Sequence, residues 1–353
     1  FFTRANDFGY SKHPKETLEF WEKDKVLSDV VWAIRTFKPD VIINRFNHRT
    51  PGTTHGHHTS SAILSVEAFD LAADKTKFSK QLKHTETWKP KRLFFNTSSW
   101  FYRDKDVFKT ASKEFTSFDV GVYYPLKGLS NNELASMASS QHLCQGFGRL
   151  TTRGSQTEYI EFLKGEKPKD KNDIFSGINT TWNRIKGGGE IGEILYEVEE
   201  KFDFVNPSKH LPKLLEAYKR IQKLENSHWR EIKEKQILEI IEACAGLYLE
   251  ASAVSSSGNP NTSIEINFEA LNRSNFNIEL NSITSKIDKR TIVKEVDLST
   301  NKKINFKETI NLKTSQFSDP YWLREKATLG MYAVESQELI GNPETPRLTR
   351  IDF

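Results

Sequence analysis

Cysteine is scarce: Cys144 and Cys244 are the two in 353 residues, too few for a disulfide framework or an all-cysteine zinc site. Long apolar runs are missing as well. No stretch approaches the ~18 apolar residues of a membrane-spanning helix, so no membrane span is expected. Charge of one sign is not in excess. Fifty-one Lys and Arg stand against 47 Asp and Glu, a net +4, and no basic run stands apart from acidic neighbours. That balance argues against a nucleic-acid partner, which needs positive charge gathered on one face. What is present is 37% hydrophobic and 12% aromatic residues, enough to fill cores and exclude global disorder. At ~150 residues per domain the length suggests about two domains.

The chain opens on Phe1-Phe2-Thr3-Arg4-Ala5, with no basic segment or apolar signal core, and closes on Thr349-Arg350-Ile351-Asp352-Phe353. Both ends read as lying inside a fold, and a fragment of a longer chain is expected.

Three zones follow one another. Residues 1–205 alternate helix and strand signals. Leu27, Val30, Val31 and Ile34 recur at helical spacing, Val41-Ile42-Ile43 is a short apolar run, and Ala62, Val66, Phe69 and Ala73 mark a second helix face. Arg92–Asn96 and Phe118–Tyr124 read as further strands. This rhythm predicts an α/β domain with a Rossmann-like, mostly parallel sheet and flanking helices. Residues 206–254 carry two apolar stripes separated by Asn226-Ser227, a helical hairpin, with Cys244 on the second stripe as a core residue. After the linker Ser255-Ser256-Ser257-Gly258-Asn259-Pro260, residues 261–353 show short alternating strands such as Ile264, Ile266 and Phe268, which predict a C-terminal β-sandwich.

Three of the nine histidines fall within four positions, in Thr53-Thr54-His55-Gly56-His57-His58-Thr59-Ser60. The segment follows a strand and loop and begins a helix that Thr54 can cap. His55 and His58, three apart, share one helical face, and the positive end of the helix dipole disfavours their protonation. Neutral imidazole is what a metal takes as a ligand. In open α/β sheets, sites form beyond the carboxyl ends of the strands, which is where this segment stands. The plain alternative is a polar loop that happens to be rich in histidine.

The run from the apolar strand through THGHHTSSA resembles the second metal motif of the PIG-L/LmbE-like zinc N-deacetylases, above all their long multi-domain Bacteroidetes-type members. Arg4–Tyr10 and Ser140–Gly148 resemble other segments of that family, and the likeness covers residues 1 to about 200. The resemblance implies that His55 is catalytic and that His58 binds zinc. Gly56 and His57 stand where the family usually has Pro-Asp. It places His142 and Gln145 near the substrate pocket. Asn44, Arg45 and Arg49, on the loop leading to the histidines, are substrate-binding candidates by position, as is Arg153 after its glycine-containing loop. The family's first motif, with two zinc ligands and the aspartate base, is not among these residues and is expected in an upstream segment of the same protein. These 353 residues alone are therefore expected to be inactive.

Several look-alikes weigh less. His13-Pro14-Lys15-Glu16 reads as a surface turn, and Gly187-Gly188-Gly189 as a flexible turn, since no Lys-Ser/Thr follows it. Trp100 and Tyr102 suit sugar stacking or plain packing equally. The expectation is a zinc-dependent hydrolase that removes acetyl from an N-acetylated sugar or sugar derivative. The long relatives lean toward the periplasm or secretion. A different class stays open: a non-catalytic glycan- or protein-binding scaffold with a degenerate deacetylase-like domain.

Overall fold

The computed structural model describes residues 1–143 and 151–353, in two units: Phe1–Ile178 with Pro320–Thr345, and Asn179–Asp319 with Pro346–Phe353. In the first unit α1 (Pro14–Phe20) leads into α2 (Lys23–Phe37), whose buried stripe includes Leu27, Val31 and Ile34. Then come β1 (Val41–Asn44), α3 (Gly56–Leu71), β2 (Arg92–Thr97), α4 (Lys105–Ala111) and β3 (Thr116–Asp119). The small hairpin β4 (Tyr123–Tyr124) and β5 (Leu129–Ser130), α5 (Asn131–Ser139) and β6 (Thr157–Gly165) complete the series.

Four strands form one sheet in the order β1-β2-β6-β3. β1 runs parallel to β2, from Val41 opposite Arg92 to Asn44 opposite Phe95, whereas β6 runs antiparallel to both β2 and β3. The unit is thus mixed α/β, and its sheet is mixed where the sequence suggested mostly parallel. The physical reason lies in β6. An apolar run reports burial on both faces but not direction, and β6 inserts between two other strands with the opposite sense. Sequence reading also missed β6 itself, naming no strand directly after Arg153. Phe118–Tyr124, expected as one strand, is two short ones. A Cβ on Gly121, between them, would lie 2.0 Å from the Gly154 carbonyl oxygen, so the backbones approach too closely there for any side chain. The core of this unit packs Val26, Leu27, Val31 and Ile34 of α2 against Leu64 and Ala68 of α3, with Ile42 of β1 at its margin.

In the second unit α6 (Gly188–Glu200), α7 (Leu211–Ile221) and α8 (Ser227–Ala245) share a core of Ile191, Ala217, Ile221 and Ile237. The expected hairpin is α7 with α8, started by Asn226, whose side chain accepts from the Trp229 amide at 3.1 Å. It packs with α6, so the expected boundary at residue 205 falls inside one helical layer. Cys244 is buried as expected, at 8% exposure, beside Leu211 and Leu214. The glycine run read as a flexible turn starts α6, with Gly187 as N-cap at φ +82°. A Cβ on Gly188 would lie 2.1 Å from the Trp182 carbonyl oxygen.

The strands are β7 (Leu247–Ala253), β8 (Ser263–Asn272), β9 (Glu279–Ser285), β10 (Thr291–Asp297), β11 (Ile304–Asn311) and β12 (Ile351–Asp352). They form two three-stranded antiparallel sheets, β11-β8-β7 and β10-β9-β12, which contribute Ile266, Phe268, Leu280, Ile283 and Ile310 to one core. Ser255–Pro260, expected as an interdomain linker, joins β7 to its paired neighbour β8. Residues 320–345 return to the first unit, where Ala5 bridges Met331 and the Tyr332 amide donates to the Arg4 carbonyl at 2.8 Å. Among the described residues no helix is long and apolar enough to cross a membrane.

Candidate functional site

α3 begins beyond the carboxyl end of β1, and its first turn is seated on the start of α1. The Gly56 amide donates to the Ser11 carbonyl at 2.8 Å. A Cβ on Gly56 would meet Thr17 Oγ1 at 2.4 Å and Ser11 Oγ at 2.7 Å, so the motif's glycine is required by this contact. His13 is the N-cap of α1, its Nδ1 accepting from the Lys15 amide at 3.2 Å. The expected cap of α3, Thr54, is not used as one. His55 stands at the N-cap, and the Thr54 hydroxyl instead meets the Thr59 hydroxyl at 3.1 Å.

This seating divides the three histidines. His55 and His58 stack with ring centroids 5.2 Å apart, and His58 also lies parallel to Phe46 at 3.9 Å. His57 turns away to pack on Phe8 at 4.8 Å and Trp21 at 5.3 Å, with its Nε2 buried and unpartnered. Burial, and then the neighbouring imidazoles His55 and His57, push the His58 pKa below its ordinary value. His58 is therefore a neutral ring at physiological pH. Among the described residues no group of three or more His, Cys, Asp or Glu side chains is gathered to hold a metal ion.

A polar cluster surrounds the carboxyl ends of β1 and β2. Asn44 faces Phe95 in register and Phe95 faces Glu161, so the Asn44 and Glu161 side chains share one face of the sheet. Asn44 is buried, 8% exposed, and its Nδ2 has no partner. Arg45 donates to the Asn96 carbonyl at 3.2 Å and to Asn96 Oδ1 at 3.0 Å. Arg49 grips Glu161 with two parallel bonds of 2.8 and 2.6 Å. That fork holds the loop onto β6 and raises the Arg49 pKa. Tyr102 lies within the field of the same pair, its pKa raised by burial and then by Glu161.

The other candidates stand apart from this cluster or are committed elsewhere. Arg153 pairs with Glu133 at 2.9 Å, beside the capping box that starts α5. His142 lies just after α5, its amide donating to the Ser139 carbonyl at 3.1 Å. Gln145 lies outside the described residues. Trp100 is 68% exposed and meets Phe101 edge-on.

Sequence reasoning missed His48 and Glu161. His48 was legible as a histidine on the loop, but Glu161 carries no signal until the register of β6 is known. The His48 Nδ1 is buried without a partner. Burial and then Arg49 hold its pKa below 6.5 against the pull of Glu161. Between that lowered value and 6.5 the unfolded chain binds a proton that the folded chain does not, so stability rises with pH across this window. The melting temperature is expected to fall from about pH 7.5 to about 5.5, and His48→Gln to shrink the fall. An unchanged pH slope in that variant, followed by circular dichroism, would remove His48 from the account.

No family model, curated protein or solved structure matches the chain.

Proposed function

We propose that the protein is a zinc-dependent hydrolase that removes acetyl from an N-acetylated sugar, in the manner of the PIG-L/LmbE-like deacetylases. The observation that carries this reading is the stacked pair His55 and His58 at the start of α3, with His58 held neutral. A neutral imidazole offers a lone pair, and His58 fits the ligand role on that count. His55 is exposed and adjacent, free to serve the reacting groups instead. A bound zinc would lower the pKa of a water and polarise the amide carbonyl. His55 would stabilise the developing oxyanion or hand a proton to the leaving amine. Asn44, with an unspent buried amide, would take a hydroxyl or carbonyl oxygen of the substrate. Arg49, locked to Glu161, would shape the pocket without presenting net charge, which suits a neutral sugar.

In the same reading the parallel pair β1–β2 belongs to a Rossmann-like sheet, and the two sheets of the second unit form a β-sandwich. The resemblance assigns the remaining zinc ligands and the general base to residues ahead of Phe1. The test therefore uses the longest form of the protein that its gene encodes. Acetate release from N-acetylglucosamine, abolished by a chelator and restored by zinc, is the expected result. Absence of both stoichiometric zinc and acetate release from that form would refute the reading.

A further inference from the structure

The segment 320–345 builds a cleft with the first residues of the chain that the proposed chemistry does not use. Its volume is about 250 Å³, and its walls include Phe2, Tyr321, Trp322, Tyr332, Val334 and Pro343. These walls are fixed to one another. The Phe2 amide donates to the Gly341 carbonyl at 3.1 Å, and the Tyr332 amide to the Arg4 carbonyl at 2.8 Å. Trp32 Nε1 donates to the Ile340 carbonyl at 2.8 Å, and the Tyr321 hydroxyl to the Asn342 carbonyl at 2.9 Å. The one charged lining side chain, Arg4, is spent on Asp29, which is 2% exposed, with a contact of 2.7 Å. The cleft is thus pre-formed, aromatic and electrically neutral. Two of its wall residues still carry spare donors: the Trp322 indole N–H and the Tyr332 hydroxyl have no partner among the described residues.

We propose that this cleft binds a single neutral sugar ring, as a site separate from the histidine pair. Ligand pockets usually run from about 300 Å³ upward, so a space of this size admits one ring and little more. A pyranose presents an apolar C–H face to aromatic side chains while its hydroxyl oxygens accept from N–H and O–H donors on the same walls. A charged ligand finds no counter-charge here, because desolvating it would go uncompensated. Pre-formed walls spare the ordering cost that weak ligands cannot meet. The site would hold a glycan near the protein whether or not the deacetylase reading stands.

The test is saturation-transfer NMR on the 353-residue chain, with methyl glucoside, N-acetylglucosamine and a triproline peptide as probes. Transfer to the ring protons of both sugars is expected. Trp322→Ala should weaken binding about tenfold or more, and Tyr332→Phe, which keeps the ring, about threefold to tenfold. The Tyr332 variant covers the case in which the tryptophan change disturbs folding. His58→Ala, which strikes the deacetylase site, should leave methyl glucoside binding as it was. Sugar binding that survives both cleft substitutions in folded protein would overturn the proposal. So would transfer to triproline without transfer to the sugars.

Discussion

Arg35→Met is expected to destabilise the protein by about 3–5 kcal/mol, the cost of leaving buried polar groups without their partner. The Arg35 side chain is fully buried, at 0% exposure. Its Nε donates to the Ala72 carbonyl at 3.1 Å, and Nη2 to the carbonyls of Leu71, Asp74 and Lys77 at 3.2, 2.8 and 2.9 Å. Nη1 donates to the Phe78 carbonyl at 3.2 Å and to Gln81 Oε1 at 3.1 Å. One guanidinium thus gathers the carbonyls at the end of α3 and the loop after it. It adds a second donor to those of Leu71, Ala72, Asp74 and Phe78, which also accept backbone amides, and supplies the donor for that of Lys77. Burial lowers the Arg35 pKa from its ordinary value, yet arginine stays charged, and the carbonyl dipoles at the helix C-terminus favour that charge. Arg35→Lys should recover little, because three donors on a point charge cannot reproduce a planar fork. Thermal and urea unfolding followed by circular dichroism measure the loss. A change below about 1 kcal/mol would mean that water replaces the guanidinium at no great cost.

The second large effect concerns the histidine pair. In the longest natural form of the protein, His55→Ala is expected to lower deacetylation about 10²–10⁴-fold while zinc content holds, the usual range for losing a proton-transferring side chain. His58→Ala should lose both zinc and turnover, since a catalytic site has about three protein ligands and none to spare. Zinc is measured by elemental analysis and turnover by acetate release. Equal zinc loss in the two variants would show that both rings bind metal and that the proposed division of labour is wrong. His57→Ala should instead act on stability. The ring packs on Phe8 and Trp21, not on the pair, and its removal leaves a gap among aromatic side chains.

Periodicity alone located α2, α3, β1, β2 and the α7–α8 hairpin, because each carries its burial pattern in its own residues. The histidine motif was equally legible: a glycine and three histidines in four positions at a strand-to-helix transition place themselves. Local chemistry stops there. His57 and His58 are neighbours in sequence, and only the seating of Gly56 on Ser11 and Thr17 decides that one ring joins His55 and the other packs on Trp21. β6 reads as polar and mixed, so neither its existence nor its antiparallel sense was visible. With it went Glu161, whose partnership with Arg49 spans 112 positions of chain.

The sequence by itself determined the alternation of helices and strands, the near-balance of charge, the absence of long apolar runs and the place of the histidines. These follow from side-chain type and spacing over a few turns of chain. Tertiary structure alone decided strand direction, the return of residues 320–345 to the first unit and the closing of Arg35 over the end of α3. Each of these depends on contacts between residues far apart in sequence, and such contacts form only where the packing of two elements brings unlike groups to one point.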